Sequence, residues 1–298
     1  MPLLARLASV HTNTYDPSKK VGPADDNGTK VYSPTARSRL AQNQSGSWCR
    51  MRQFLTADPR AQLAIEMSIE AADPTSGVSM TTPIQRYFDK LAEVYDLATT
   101  PAEAWTAPKQ LADFAAPALF KGCRLLDIGV GTGQSLMELQ RLEPDLEAWG
   151  LDPSVAMIDR CQAKLPMVTL LCADLASTHD QLPTDFDVIV ACGVTEFIAD
   201  LDGWLHEVKT ILKPGGALVF TYEPRIAGHP IQVYASSLVT LDHSSRLYQP
   251  DCLSYRRSAE EVSQALSSAQ LHAVRERAFV AYRKQGQNIL YRLLACRS

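Results

Sequence analysis

Two periods alternate along the second half of the chain. Short runs that are apolar on both faces occur at Arg124–Ile128, Glu147–Leu151, Val168–Cys172, Phe186–Ala191 and Ala217–Tyr222. Between them lie stretches with helical spacing at Gln134–Leu142, Val155–Lys164 and Leu201–Leu212. Strands buried on both faces and separated by helices predict a parallel sheet with helices on each side. Ser258-Ala259-Glu260-Glu261 then caps another helix. His272–Arg283 and Asn288–Cys296 flank Lys284-Gln285-Gly286-Gln287, which predicts an antiparallel hairpin at the sheet edge. The expected fold is therefore α/β, with a seven-stranded, mostly parallel sheet closed by a C-terminal hairpin.

The first half reads differently. Residues 1 to 56 are rich in Ser, Thr, Asn, Pro and Gly and sustain no apolar period. Asp58-Pro59 opens a possible helix over 58–72, with Leu63, Met67 and Ala71 on one face. Thr82-Pro83 opens a second helix, striped by Tyr87, Leu91, Val94 and Tyr95. Thr100-Pro101-Ala102-Glu103 is a capping box, and the helix after it is expected to be interrupted at Pro108 and Pro117. Residues 224–257 show no clear period. The chain thus divides into an extension, 1–79, and a domain, 80–298. The domain comprises N-terminal helices (83–120), a core (121–223), an irregular wall (224–257) and a terminal helix with hairpin (258–298). A start at Met80 is expected to leave folding intact.

Composition narrows the class. Apolar residues make up 46% and charged residues 21%, as in ordinary globular proteins. The net charge of −4 argues against a general nucleic-acid binder. The cysteines Cys49, Cys123, Cys161, Cys172, Cys192, Cys252 and Cys296 are odd in number and scattered, which disfavours a disulfide framework or zinc site and fits a reducing compartment. No apolar run has the length of a membrane span, so a cytoplasmic location is expected. A mitochondrial alternative rests on the arginines scattered among serines and threonines near the N-terminus, with Asp16, Asp25 and Asp26 against it.

The candidate chemistry lies just after the first strand of the domain. Leu125-Leu126-Asp127-Ile128-Gly129-Val130-Gly131-Thr132-Gly133 places three glycines between a buried strand and a helix. Such a loop lets a ligand approach the main chain, and the helix start favours a carboxylate or phosphate. The spacing is G-x-G-x-G, whereas the dinucleotide pattern is G-x-G-x-x-G. Asp127 would repel a pyrophosphate but suits an ammonium group. Asp152, ending the next strand, can accept both hydroxyls of a ribose, and it can also cap the helix after Pro153-Ser154. An amine, a carboxylate and a ribose without phosphate satisfy this set.

These segments resemble those of the class I S-adenosylmethionine-dependent methyltransferases. The first motif is the glycine segment. The second is Trp149-Gly150-Leu151-Asp152-Pro153-Ser154 with Met157, and the third is Cys172-Ala173-Asp174-Leu175. Phe186-Asp187-Val188-Ile189-Val190 resembles the fourth strand, and Leu212-Lys213-Pro214-Gly215-Gly216-Ala217-Leu218 the turn into the fifth. The resemblance covers about residues 84–224 in order. It implies a Rossmann-like fold and S-adenosylmethionine as cofactor. It implies that Asp127 meets the methionine amine, Gly129, Gly131 and Gly133 carry the methionine part, and Asp152 takes the ribose. Met157, Asp174 and Leu175 would meet the adenine, with Cys192 and Gly193 beside the sulfonium. The helix Arg86–Asp96 resembles the lid of the ubiquinone/menaquinone-biosynthesis branch, with Tyr87 and Tyr95 closing over the cofactor or simply packing.

The acceptor is less determined. Glu196, after the fourth strand, could act as a base or bind a cationic acceptor, although many relatives have a histidine near this point. Tyr222, ending the fifth strand, is the second catalytic candidate. His229, Tyr234, His243 and Tyr248 lie in the irregular wall. Ala191-Cys192-Gly193-Val194 stands where enzymes acting on amide or base nitrogens often carry Asn/Asp-Pro-Pro-Tyr/Phe. A small-molecule acceptor is expected, with in-line transfer and no metal. Two other readings stay open. One is a non-catalytic cofactor sensor or scaffold. The other is a nicotinamide oxidoreductase, opposed by the glycine spacing, Asp127 and Pro214-Gly215-Gly216.

Overall fold

The computed structural model describes residues 31–32, 82–99, 105–178, 181–238 and 253–298. The chain divides into two compact units. The first, residues 1–23 with 35–55, lies outside the described residues. The possible helix at 58–72, the start at Met80 and the capping box at Thr100 also lie outside them.

The second unit is built on one sheet, with strand order β1-β4-β3-β2-β5-β6-β10-β9. Its strands are β1 (Val31–Tyr32), β2 (Arg124–Ile128), β3 (Glu147–Leu151), β4 (Thr169–Leu171), β5 (Phe186–Ala191), β6 (Leu212–Tyr222), β9 (His272–Lys284) and β10 (Gln287–Arg297). The chain enters in the middle at β2, steps outward to β3 and β4, then returns to β5 on the other side of β2. These central pairings are parallel. The reversal leaves a crevice beyond the carboxyl ends of β2 and β5, where open α/β sheets bind ligands. β10 runs antiparallel to β6 and to β9, as the hairpin pattern predicted. All seven expected strands form. The two-residue β1 adds an eighth, antiparallel to β4, from a stretch with no apolar period.

Helices cover both faces because the strands are apolar on both. On one side lie α3 (Ala107–Ala115), α4 (Gln134–Leu142) and α5 (Val155–Lys164), which bury Leu111, Leu136, Leu139 and Ile158 against Leu125, Val188 and Val219. On the other lie α6 (Leu201–Ile211) and α7 (Ala259–Ser268), which bury Trp204, Leu205, Val208, Val262 and Leu266 against Leu126, Ile189 and Phe220. The predicted capping box at Ser258 forms, and the structure adds a second at Thr82, where the sequence predicted only a helix start. Thr82 caps α1 (Pro83–Leu91) with Gln85, and Ser258 caps α7 with Glu261.

Three local details depart from the pattern. The lid segment is not one helix: α1 ends at Leu91, and α2 (Tyr95–Thr99) follows a turn. Pro108 does not interrupt a helix but sits in the first turn of α3, where its missing N–H costs nothing. Part of the irregular wall pairs as a small ribbon, β7 (Ser236–Leu238) with β8 (Leu253–Tyr255). Among the described residues no helix is long and apolar enough to cross a membrane.

Candidate active site

The three loop glycines all adopt positive φ: +69° at Gly129, +53° at Gly131 and +88° at Gly133. Their reasons differ. A Cβ on Gly129 would lie 2.3 Å from Val194 Cγ2, so this glycine lets the loop after β5 come close. A Cβ on Gly133 would lie 2.8 Å from Cys161 Sγ, so this one packs α4 against α5. Gly131 donates its N–H to Asp152 Oδ2 at 2.9 Å. The other Asp152 oxygen accepts from Ser154 N at 2.8 Å, and the Ser154 hydroxyl caps α5 through Met157 N. Asp152 thereby ties the second motif to the first.

Two adjoining cavities lie over these loops. The larger, about 470 Å³, runs from Gly129 and Gly131 past Asp152 and Met157 to Asp174 and Leu175. The smaller, about 30 Å³, sits over Gly129–Thr132 and the start of α4 at Gln134 and Ser135. Tyr95, Gly129, Gly131 and Cys192 line both. Gly193 lines the larger one.

The carboxylates are not equivalent. Asp127 is 1% exposed, and neither of its oxygens has a hydrogen-bond partner. Burial and the nearby Asp152 hold its carboxyl well above the ordinary range. Burial also pushes Asp152 up, to about 6, while the two N–H donors pull against it. Asp174 is exposed, and its Oδ1 accepts from Ser177 N at 2.8 Å, which shapes the turn at the cavity mouth. Cys192 has its thiol raised by burial, with Asp127 and Glu196 adding to the shift.

The lid is pinned at two carboxylates. Asp89 on α1 accepts from Ser154 Oγ at 2.6 Å and from Ala156 N at 3.3 Å. Asp96 on α2 accepts from Thr132 Oγ1 at 2.6 Å and Gln134 Nε2 at 3.0 Å, and pairs with Lys164 Nζ at 2.9 Å. Tyr95, next to Asp96, is thereby set against both cavities. Tyr87 is 3% exposed, packs with Leu91, Ala92 and Met157, and does not line the cavity. Its neighbour Phe88 does, stacked edge-on with Phe197 at 5.3 Å. The motifs pointed to neither Phe88 nor Phe197. Nor did they point to Asp89 or Asp96, whose only signal was a position on the lid helix facing the loop.

On the acceptor side the candidates separate. Glu196 is 2% exposed within the 3-10 turn Thr195–Phe197. Tyr222 is buried in the apolar core beneath α6 and α7 and lines neither cavity. His229 serves the wall: its Nδ1 accepts from Ile231 N and Gln232 N, which leaves Nε2–H to donate to Asn288 O. Tyr234 is exposed. His243 and Tyr248 lie outside the described residues. Two arginines that no motif singled out brace the region. Arg257 donates to the carbonyls of Thr195 and Ile198, and Arg256 Nε pairs with buried Glu223 Oε1 at 2.6 Å. Trp105 packs on Gly193, 3.0 Å from where a Cβ would sit.

Comparison with known proteins agrees with this layout. A family described as a methyltransferase domain matches residues 126–218, from inside β2 to inside β6. Residues 126–218 form a methyltransferase domain of that family. The chain is 33% identical over 103 residues to a trans-aconitate 2-methyltransferase of Methylobacterium radiotolerans, covering 34% of this chain and 38% of that one. It is 33% identical over 112 residues to a ubiquinone biosynthesis O-methyltransferase of Cereibacter sphaeroides, covering 36% and 44%. The matches thus span less than half the length of these curated relatives. Among solved structures, a methyltransferase from Methanosarcina mazei superposes with a TM-score of 0.54 at 17% identity, over 62% of this chain and 96% of that one. The cyclase SpnF superposes with a TM-score of 0.56 at 18% identity, over 72% and 94%.

S-adenosylmethionine is the cofactor of this domain class, and the chain's residues fit it. Asp127 is a buried, unpartnered carboxyl two residues before the glycine loop. An ammonium group is the complement such a group lacks.

Proposed function

We propose that the chain is an S-adenosylmethionine-dependent methyltransferase acting on a small-molecule acceptor. The observation that carries this reading is the unpartnered Asp127 carboxyl behind a glycine loop whose Gly131 N–H is tied to Asp152. In this reading Asp127 meets the methionine amine, and the start of α4 at Gln134 and Ser135 offers N–H groups to its carboxylate. Asp152 retains lone pairs for the ribose hydroxyls. Met157, Asp174 and Leu175 flank the adenine. Tyr95, Cys192 and Gly193 border the reacting end. When bound, the cofactor supplies a methyl group on a sulfonium centre, a reaction with a good leaving group. What the chain adds is alignment and exclusion of water, the latter through the pinned lid.

In-line transfer follows from the chemistry of displacement at a methyl carbon. The small-molecule acceptor is supported by the names of the relatives, which act on trans-aconitate and in ubiquinone biosynthesis. The shared fold of the cyclase SpnF favours one second reading, a protein that keeps the fold without methylating. Incubating the protein with labelled S-adenosylmethionine and a cell extract separates the two. A labelled small molecule is expected, and cofactor binding without any labelled product would favour the second reading.

A further inference from the structure

One buried cluster lies beside the cofactor cavities and has no part in holding the cofactor. Its centre is Glu196, whose two carboxyl oxygens are buried and meet no partner in hydrogen-bond geometry. Around it stand Tyr291, Cys192, Glu223 and Arg257, all within electrostatic reach, with Tyr282 beyond. The charges of the neighbours are already committed. Glu223 is paired with Arg256, and Arg257 is spent on the Thr195, Ile198 and Ala199 carbonyls. Of three aromatic rings at this cluster, Trp105 lines the small cavity, whereas Tyr282 and Tyr291, like Glu196, line neither cavity. Trp105 lies 5.4 Å from Tyr291 and 5.9 Å from Tyr282 between ring centroids, and the two tyrosine rings are 6.2 Å apart. Cys192 also lines the small cavity.

Resting on the methyltransferase reading, we propose that Glu196, with the Trp105, Tyr282 and Tyr291 rings, is the acceptor-recognition site and selects an organic amine. Aromatic faces attract a cation, and a buried carboxyl without a partner gains most from an ammonium donor. A carboxylate or phosphate acceptor would meet Glu196 and Glu223, with Arg256 and Arg257 already committed and Lys284 within electrostatic reach of Glu223 and Arg256. An alcohol could bond Glu196 but would gain nothing from the rings. Burial, then Glu223, push the Glu196 carboxyl up, to about 8, against the pull of its own backbone N–H, the Arg257 charge and the Tyr291 hydroxyl. At pH 7 it therefore holds a proton, which an incoming ammonium displaces when the ion pair forms.

The test is calorimetry on the full-length protein, with and without saturating S-adenosylhomocysteine. The probes are phenethylamine, 2-phenylethanol and phenylacetate, which share a body and differ in charge. The amine is expected to bind at least about tenfold more tightly than either other probe, the equivalent of one displaced charge-assisted contact. Titration in buffers of different ionisation enthalpy is expected to show release of about one proton at pH 7 and little at pH 9. Glu196→Gln, which keeps the shape of the protonated carboxyl, is expected to abolish both the preference and the proton release. Tyr291→Phe is expected to weaken amine binding less. Equal affinity for the three probes, no binding of any, or an unchanged preference in Glu196→Gln would each overturn the amine assignment. Failure of S-adenosylhomocysteine to bind would instead overturn the methyltransferase reading, and the probe series without it still reads the amine site.

Discussion

Asp127 and Asp152 end neighbouring strands, yet they stand in different electrostatic states. Asp127 has no donor, whereas Asp152 holds two backbone N–H groups and still faces the larger cavity. If Asp152 takes ribose hydroxyls, Asp152→Ala loses charge-assisted bonds and loosens Gly131. About a 10- to 100-fold drop in cofactor affinity is expected by calorimetry. Hydroxyl donors favour the carboxylate, so cofactor affinity is also expected to rise as pH passes upward through about 6. Glu196 gives a prediction of the opposite sort, on stability. Its folded carboxyl keeps a proton that the unfolded chain loses near its ordinary value of 4.5. The folded state therefore binds more protons in that window, and stability falls as pH rises from about 4.5 to about 8. Chemical denaturation across this range is expected to show the decline, and Glu196→Gln to flatten it.

At the scale of elements, the loop and the lid act as one unit because Asp89 and Asp96 reach across to them. The Asp96–Lys164 pair is about one-third exposed, so its own contribution to stability is modest, about 1 kcal/mol or less. Its larger consequence is positional. Asp96→Asn frees α2 from Lys164 and leaves Tyr95 less fixed, so S-adenosylhomocysteine is expected to dissociate several-fold faster in stopped-flow fluorescence, with little change in melting temperature.

The strands, the helix start at Thr82, the capping box at Ser258 and the glycine loop were legible in the sequence, because each is set by local spacing and cap chemistry. The break after Leu91 was not, since Tyr87, Leu91, Val94 and Tyr95 keep helical spacing straight through the turn. Pro108 has two readings in sequence, because the same residue stops a helix interior and starts a first turn, and only the fold selects the second. Tyr87 and Phe88 are adjacent and aromatic, and only packing against Met157 or Phe197 decides which of them faces the cavity.

For the whole molecule, the sheet brings residues from distant parts of the chain to one edge of the crevice. Glu196, Glu223, Arg256, Arg257, Tyr282 and Tyr291 come from five separate segments, and no local motif could have joined them. The cofactor side, by contrast, is assembled from consecutive βα units, which is why its motifs read in order. The two-residue β1 contributes only a short edge to β4, so a chain starting at Met80 is expected to fold and to bind S-adenosylhomocysteine with affinity within about threefold of the full chain, less than 1 kcal/mol. The most direct test of the central claim is isothermal titration of the full-length protein with S-adenosylmethionine and, separately, with NAD. Saturable one-to-one binding of S-adenosylmethionine, much weakened in Asp152→Ala, with no heat from NAD, is the predicted result. Tight binding of NAD with none of S-adenosylmethionine would contradict it.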